Sequence, residues 1–580
     1  MNELTRVLGW VGVGVLGELS AAILSFEGPT RWWFDGLVGV FLLGRLPSGW
    51  EVLRLRYRFR RQPLWRLGRS ALIRQLDGHP EHRLLGEGFD WTPTHGVLAH
   101  RFSEGLGPVR LPEGRSDWLH GLGRRYQPIR QSLAEAEGHT LVIGTTGSGK
   151  TRFFDLLIRE AILRREAVVI VDPKGDRDLA RHAQEMLQSL GRGECFHSFH
   201  PGEPEKSVRL DLLRHFNRPS ELASRLAAAL PGHGVSDPFK AFAVRSLDQV
   251  VQGLLYVGER PTLIRIRQLI EQGVGGLLAE ALRQHIESVE GPGYRSRLTG
   301  KGRDLGAEAL HRHYLEGRAA IPKVPAIDGL MALDRHDPTH FAKMVASLLP
   351  LLNALTTGPL RALLSPDGAG ADDPRRVLDL GRAIRLRHTV YLGLDALSDG
   401  PTAGVLGSLI MADLAALAGD RYNHGVPSQR VHLFVDEAAE VINEPTIQLL
   451  NKGRGAGFRL TLATQTVADF SARLGSRDRA LQVLGNLNTL IAFRVTDPET
   501  QRFVTDSLPP IRRPLVSTQE SQSQSSDHPS SRNGQRGVQS RDEVAERFPR
   551  ALLGQLPDLH YLGRLAGGRV VKGRVPIFED

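Results

Sequence analysis

The sequence predicts an α/β fold in which buried parallel strands end in loops that carry polar and charged side chains. The apolar run Thr140-Leu141-Val142-Ile143 leads into the loop Gly144-Thr145-Thr146-Gly147-Ser148-Gly149-Lys150-Thr151, and residues 152–162 follow with the apolar spacing of a helix. Much later in the chain, the run Val431-His432-Leu433-Phe434-Val435 ends in two carboxylates. Such strands, alternating with helices, are typical of a parallel sheet covered by helices.

The glycine-rich loop is the first candidate site. It matches the pattern G-x-x-x-x-G-K-[ST], and the strand before it and the helix after it are the context that this pattern requires. Residues 144–151 are therefore predicted to bind a nucleotide through backbone N–H groups that point at phosphate oxygens. Lys150 adds a charge for the β- and γ-phosphates, and the Thr151 hydroxyl binds Mg²⁺. The expected ligands are ATP and Mg²⁺.

The acidic pair Asp436-Glu437 is the second candidate site. In this arrangement the first carboxylate supports Mg²⁺, and the second polarises the water that attacks the triphosphate. Taken alone, the pair also fits a strand that ends in acidic surface residues. The phosphate loop favours the catalytic interpretation.

Two further residues follow the acidic pair. The β-rich run Arg459-Leu460-Thr461-Leu462-Ala463-Thr464 ends at Gln465, which in that position can sense the γ-phosphate. The glycine-rich loop before it contains Arg454, which can reach the site of a neighbouring subunit. Each residue alone is ordinary, as a polar strand end and as a solvated loop charge. Their order and spacing favour the functional roles.

Length and composition agree with a multidomain nucleotide-binding protein. A chain of 580 residues exceeds the size at which a single hydrophobic core stops growing. The net charge of +10 suits a partner that carries phosphates, or an anionic membrane surface. The single cysteine, Cys195, excludes an intramolecular disulfide.

The first fifty residues predict a membrane anchor. Residues 7–26 and 32–46 are two apolar stretches, and an arginine-rich segment begins at Arg54, so the positive-inside rule places the rest of the chain in the cytoplasm. The alternative is a buried helical pair that packs on the ATPase core. In the arginine-rich segment Tyr57 and Phe59 alternate with basic residues, which also fits a stacking platform for nucleic acid. Juxtamembrane charge is the favoured interpretation.

Three other segments have distinct patterns. Between the two halves of the core, residues 219–373 have helical apolar spacing and are predicted to form an inserted all-α domain. Residues 517–540 are rich in Ser and Gln, and we expect a mobile loop because they cannot bury enough apolar surface. Cys195, His197 and His200 have no second ligand cluster at zinc-site spacing, so a core strand is the better interpretation.

Together these motifs resemble the TraD/TraG conjugative coupling proteins, members of the class of RecA-like ring ATPases that includes FtsK and HerA. The resemblance rests on the phosphate loop, the strand followed by Asp172-Pro173-Lys174-Gly175-Asp176, the pair Asp436-Glu437, the loop around Arg454 and the run that ends at Gln465-Thr466. It extends to residues 486–495 and to a closing hairpin with a Gly-Gly turn in residues 561–571. The signature at Asp172 favours coupling proteins over FtsK.

The resemblance implies a RecA-like P-loop ATPase core with an inserted all-α domain and an N-terminal transmembrane hairpin. Lys150, Glu437, Gln465 and a trans-acting Arg454 would serve catalysis, and Thr151 and Asp436 would hold Mg²⁺. The expected divisions are residues 1–46 as the membrane anchor, 47–135 as a basic juxtamembrane region, 136–218 and 374–516 as the two halves of the core, 219–373 as the insertion, 517–540 as the loop and 541–580 as closing strands.

The resemblance also implies a function and a setting. The chain would be a DNA-dependent ATPase in the inner membrane of a bacterium, with most of its residues in the cytoplasm, active as a hexamer. It would recruit a relaxase bound to a single DNA strand, together with relaxosome proteins, and deliver that DNA into a type IV secretion channel. An FtsK/HerA-like translocase of double-stranded DNA is one alternative. A docking scaffold that binds nucleotide but hydrolyses little is another.

Overall fold

The structure is a computed structural model, and it describes most of the chain after residue 52. The described residues are 53–579 except 56, 61–62, 108, 110, 112–115, 124, 231–236, 292, 295–306, 317–320, 367–372, 426–428 and 525–531. The predicted transmembrane hairpin in residues 1–46 lies outside them.

An eleven-stranded mixed sheet forms the centre of the molecule, in the order β3-β2-β16-β15-β12-β4-β11-β10-β5-β9-β6. Its strands are β2 (His82–Asp90), β3 (Gln127–Ser132), β4 (Thr140–Ile143), β5 (Ala167–Asp172), β6 (Phe196–Phe199), β9 (Thr389–Gly393), β10 (Val431–Val435), β11 (Phe458–Thr464), β12 (Thr489–Ala492), β15 (His560–Arg564) and β16 (Val570–Arg574). The described residues form six further short or peripheral strands: β1 (Arg66–Gly68), β7 (Arg209–Leu210), β8 (Val377–Leu378), β13 (Ile511–Gln524), β14 (Arg532–Ala545) and β17 (Ile577–Glu579).

Seven of the central strands, from β12 to β6, are parallel, and we call them the parallel half. Strands β4, β5, β9 and β11 are buried along their whole length, as expected where helices cover both faces. The register pairs Ile143 with Thr464 and Val435 with both Leu462 and Val171. The loops after β4, β5, β10 and β11 therefore emerge at one edge of the sheet.

The other four strands, β15, β16, β2 and β3, extend the sheet by antiparallel pairing, and we call them the antiparallel half. Strands β15 and β16 form the predicted closing hairpin. Its turn contains Gly567 and Gly568 with φ of 85° and 83°, a region that glycine adopts without steric cost.

Helices cover both faces of the sheet. Alternate residues of the parallel strands join different apolar clusters, such as Val169 on one face and Ile170 on the other. The helices outside the insertion are α1 (Arg69–Asp77), α2 (Pro93–Ser103), α3 (Lys150–Leu163), α4 (Arg177–Ser189), α14 (Leu380–Arg385), α15 (Gly400–Asn423), α16 (Glu444–Lys452), α17 (Ala468–Leu474), α18 (Arg477–Gly485), α19 (Pro498–Asp506) and α20 (Arg550–Leu553).

Between β7 and β8, every described element is a helix. These helices are α5 (Pro219–Ala227), α6 (Pro238–Tyr256), α7 (Leu263–Gln272), α8 (Gly275–Glu290), α9 (Ala307–Glu316), α10 (Pro325–Asp334), α11 (Pro338–Met344), α12 (Leu348–Thr356) and α13 (Gly358–Leu364). A buried ion pair joins them to the core, because Arg225 of α5 lies 2.7 Å from Asp413 of α15. Helix α15 is long and apolar enough to cross a membrane, but most of its apolar stretch is buried inside the protein.

Residues 517–540 do not form the expected loop throughout. Strands β13 and β14 pair in antiparallel register from Ile511 with Ala545 to Gln524 with Arg532. The prediction rested on the lack of apolar side chains, whereas backbone N–H and C=O groups can form a strand ladder whatever side chains they carry.

The core-strand interpretation of Cys195 and His197 is confirmed. Burial alternates along β6, with His197 and Phe199 buried, and Cys195 is also buried just before the strand. The Nε2 atom of His197 lies 2.8 Å from Nδ1 of His388. Within the described part of the chain, no group of three or more His, Cys, Asp or Glu side chains is placed to hold a metal.

Candidate functional site

The phosphate loop joins β4 to α3 at the edge where the parallel strands end. Gly147 and Gly149 have φ of 75° and 123°, which explains why glycine is needed at both positions. Close packing adds a second reason at Gly149, since a Cβ there would lie 3.0 Å from Phe493 and 3.1 Å from the Leu559 backbone. The loop is therefore fixed both by its own backbone and by the neighbouring segments.

Lys150 lies at the start of α3 and is almost fully buried. Its Nζ donates to the carbonyl oxygen of Gly144 at 2.7 Å, so the ammonium sits inside the loop. Burial lowers the pKa of Lys150, and the nearby Glu437 and Asp436 oppose that shift. The hydroxyl of Thr145 is buried without a hydrogen-bond partner among the described residues. These two groups are the polar environment that a phosphate would complete.

The carboxylates of Asp436 and Glu437 follow β10 directly. Burial raises the pKa of Asp436 to about 6, and the charges of Asp172 and Glu437 add to the effect. Glu437 adopts a left-handed conformation with φ of 40°, which is uncommon for a residue other than glycine. Burial alone would raise the pKa of Glu437, but hydrogen bonds from Lys174 and Gln465 outweigh it and lower that pKa.

Gln465 follows β11, the strand between the phosphate-loop strand and the acidic strand. Its Nε2 donates to Oε1 of Glu437 at 3.0 Å. The structure therefore brings Gln465 into the same group as Lys150, Asp436 and Glu437.

Lys150, Asp436 and Glu437, but not Gln465, line a cavity of about 420 Å³ at the ends of the strands. It is lined by Thr145, Thr146, Gly147, Gly149, Lys150, Thr151, Arg152, Lys174, Asp176, Asp436, Glu437 and Leu559. A second cavity shares Glu437 with the first and is also lined by Gln465 and Arg473. Carboxylate, hydroxyl and backbone N–H groups around a buried lysine fit a nucleoside triphosphate with Mg²⁺.

Arg454 lies elsewhere. It belongs to the short 3-10 turn Gly453–Ala456, which precedes β11 and is exposed at Arg454. Strand β11 separates it from Gln465, and at about 3.3 Å per residue that strand spans roughly 20 Å. Arg454 is therefore at the opposite edge of the sheet from the nucleotide cavity of its own chain.

Two site residues were missed by the sequence reasoning. In the sequence Lys174 stands out only as a member of the signature Asp172 to Asp176, yet its Nζ lies 2.6 Å from Oε1 of Glu437. The position of Lys174 after a buried strand was the one available signal. No sequence pattern marks Leu559 as part of the site. Its N–H nevertheless donates to the Ser148 carbonyl at 2.8 Å, and its φ is 67°.

Two family models match parts of this chain. Residues 430–558 match the family model described as the TraM recognition site of TraD and TraG, and residues 127–195 match the model for the central domain of the helicase HerA. No curated protein has a matching sequence.

Among solved structures, the bacterial conjugative coupling protein TrwBdeltaN70 is similar, with 16% identity and a TM-score of 0.51 over 78% of this chain and 88% of that chain. TrwB with the ATP analogue ADPNP has 18% identity and a TM-score of 0.47 over 77% and 87%. VirB4 of Thermoanaerobacter pseudethanolicus has 14% identity and a TM-score of 0.40 over 76% and 89%. The first match shows a shared fold, and at these identities none shows an activity. The family models and the fold thus confirm that the chain resembles the TraD/TraG-type coupling ATPases, with a RecA-like core.

Proposed function

We propose that this protein is an ATPase that couples hydrolysis to the transfer of DNA through a type IV secretion channel. One observation carries the ATPase part of the proposal. Lys150 and the adjacent pair Asp436-Glu437, which lies far from it in the sequence, meet around one cavity at the phosphate loop, and Gln465 adjoins them through Glu437. That set contains the parts that phosphoryl transfer requires: a phosphate cradle, a carboxylate for the metal and a carboxylate for water.

Each residue then has a defined task. Backbone N–H groups of residues 144–149 and the Lys150 ammonium hold the phosphates, and Thr151 and Asp436 hold Mg²⁺. A bound Mg²⁺ neutralises charge on the phosphate oxygens during transfer. The raised pKa of Asp436 reflects burial and like charge, so a cation at this position keeps the carboxylate ionised. Glu437 orients the attacking water, and Gln465 links Glu437 to the end of β11.

The partners follow from the family resemblance and the charge. The match to the TraM recognition site model supports docking of relaxosome proteins on residues 430–558. The net charge of +10 supports binding of DNA, which we propose is a single strand that carries a relaxase. The active form would be a hexamer in the bacterial inner membrane, held by the N-terminal segment, with the bulk of the chain in the cytoplasm.

The test is DNA-stimulated hydrolysis. Single-stranded DNA should raise the ATPase rate, and the stimulation should weaken steeply with salt because phosphate contacts release counterions. The full chain should also resist carbonate extraction from inner membranes. An ATPase that is indifferent to DNA at every salt concentration would contradict the motor. Transfer at wild-type frequency by Lys150→Ala would favour the docking scaffold.

The HerA match at residues 127–195 favours a second candidate, a translocase of double-stranded DNA. The two candidates differ in substrate. A coupling protein should support conjugative transfer of a mobilisable plasmid and respond to single strands, whereas the translocase should displace a triplex-forming strand from linear duplex DNA without any relaxase.

A further inference from the structure

Lys174 and Gln465 both hold the same oxygen of Glu437. The Lys174 Nζ lies 2.6 Å from Oε1, and the Gln465 Nε2 donates to Oε1 at 3.0 Å. Within the described part of the chain, Oε2 accepts no hydrogen bond. The carboxylate is therefore anchored through one oxygen only.

The backbone at Lys174 is fixed by a turn at the end of β5. The Asp172 carboxylate accepts hydrogen bonds from the N–H groups of Lys174, Gly175 and Asp176 at 3.0, 3.1 and 2.5 Å. The Tyr391 hydroxyl donates to the same carboxylate at 2.9 Å. Gly175 has φ of 74°, and a Cβ there would lie 2.5 Å from Nε2 of His200. The backbone of Lys174 is thus held in place by a hydrogen-bonded turn.

Charge and burial favour a lasting pair. The Glu437 side chain is 10% exposed and the Lys174 side chain 37% exposed, and both line the cavity of the phosphate loop. Burial alone would lower the pKa of Lys174, but the bond to Glu437 outweighs it, and the pKa is raised. The pair therefore joins a cation to a largely buried carboxylate on the wall of the cavity.

We propose that Lys174 is a positioning residue for hydrolysis, which with Gln465 anchors Glu437 through Oε1 and leaves Oε2 to accept the proton of the attacking water. The inference rests on the proposed ATPase function. In the step that it serves, the water oxygen bonds to the γ-phosphorus while the bond from that phosphorus to the β–γ bridging oxygen breaks. The water proton moves to Oε2, and ADP leaves with the bridging oxygen.

The test compares Lys174→Met and Lys174→Arg with the unaltered full chain. Lys174→Met should lower kcat about 10-fold or more and leave KM within about 2-fold, because the water is misaligned while the phosphate cradle is intact. Lys174→Arg should restore kcat, because it keeps a cation beside Oε1 of Glu437.

Lys206→Met is the matched control, since the Lys206 side chain is 81% exposed and belongs outside the cavity; it should behave as wild type. Should Lys174→Met fail to fold, Lys174→Gln replaces it, with the same expectations. A wild-type kcat in Lys174→Met would overturn the inference. So would a large rise in KM at unchanged kcat, since Lys174 would then bind nucleotide. Absence of hydrolysis by the unaltered chain would overturn the proposed function itself, and the inference with it.

Discussion

The two halves of the central sheet place lysines in opposite surroundings. In the parallel half, Lys150 and Lys174 line one cavity with the carboxylates of Asp436 and Glu437, and Lys174 forms an ion pair with Glu437. In the antiparallel half, Lys572 is fully buried with its Nζ 3.0 Å from Nδ1 of His560. Within the described part of the chain, Lys572 forms no ion pair with a carboxylate.

The difference shows that burial alone does not mark a functional cation. Burial lowers the pKa of Lys572 to about 7, and the charge of Arg574 adds to the shift. A lysine in this position tends to lose its proton instead of holding a ligand. Lys174 keeps its proton because a carboxylate compensates its burial. Of these three lysines, only Lys150 and Lys174 are therefore placed to serve phosphate chemistry, and substitutions in the two halves should separate activity from stability.

The largest effect is expected from Arg454, at the opposite edge of the parallel half. Because roughly 20 Å of strand separates it from its own site, we expect it to act on a neighbouring subunit, where such an arginine contributes about 10³ or more in rate. Arg454→Ala should bind ATP nearly normally and hydrolyse it poorly. The measurement is steady-state hydrolysis with DNA, beside nucleotide binding by the same protein.

Mixing separates a trans role from a structural one. Lys150→Ala damages the phosphate loop but keeps Arg454, so mixed rings with Arg454→Ala rebuild complete sites at some interfaces and should recover part of the activity. Arg473→Ala is the informative comparison, because Arg473 lines a cavity beside Gln465 of its own chain. If subunits exchange and no mixing ratio restores hydrolysis, either Arg454 does not act in trans or every site must be intact, and its assigned role should be withdrawn.

The next largest effect is expected from Glu437→Gln. The amide keeps the shape of the side chain but cannot take a proton, so kcat should fall by about 10² to 10⁴ while ATP binding persists. The matched control in the antiparallel half is Glu87→Gln, since Glu87 pairs with Arg574 there and lies outside the cavity. Equal losses in the two variants would erase the functional distinction between the halves.

How far the sequence predicts this site depends on how local each interaction is. The phosphate loop is local, because its glycines and Lys150 lie within eight consecutive residues whose order specifies the backbone. The contact between Lys174 and Glu437 joins residues 263 positions apart and exists only because β5 pairs with β10. Sequence motifs include both residues but do not indicate that β5 pairs with β10.

The fold shows the same limit. Buried parallel strands could be predicted from their continuous apolar runs. The hairpin of β13 and β14 could not, because its polar sequence lacks the alternation that reveals a half-buried strand. The burial of Lys572 was equally hidden, since lysine is almost never fully buried without a partner.

The smallest and most specific effect is expected from Lys572, and it concerns stability. The pKa of about 7 in the folded protein lies below the value of 10.5 expected in the unfolded chain. Between these values the unfolded chain holds a proton that the folded protein lacks, so the free energy of unfolding should rise with pH by about 1.4 kcal/mol per unit. Below pH 7 this contribution is a constant penalty.

Lys572→Met should remove that slope and leave hydrolysis unchanged. The free energy of unfolding of Lys572→Met should therefore exceed that of wild type most near pH 7, and the difference should shrink as the pH rises toward 10. Neutral histidines do not interfere in this window, because burial holds the pKa of His120 at about 4 and that of His560 well below its usual value. Urea unfolding of both full-length proteins, followed by tryptophan fluorescence at several pH values, measures the difference, with the exposed Lys206→Met as the control. If the free energies of unfolding of Lys572→Met and wild type differ by the same amount at every pH, Lys572 keeps its proton when folded. Loss of hydrolysis in Lys572→Met would mean that the antiparallel half takes part in function, and the contrast between the halves would fail.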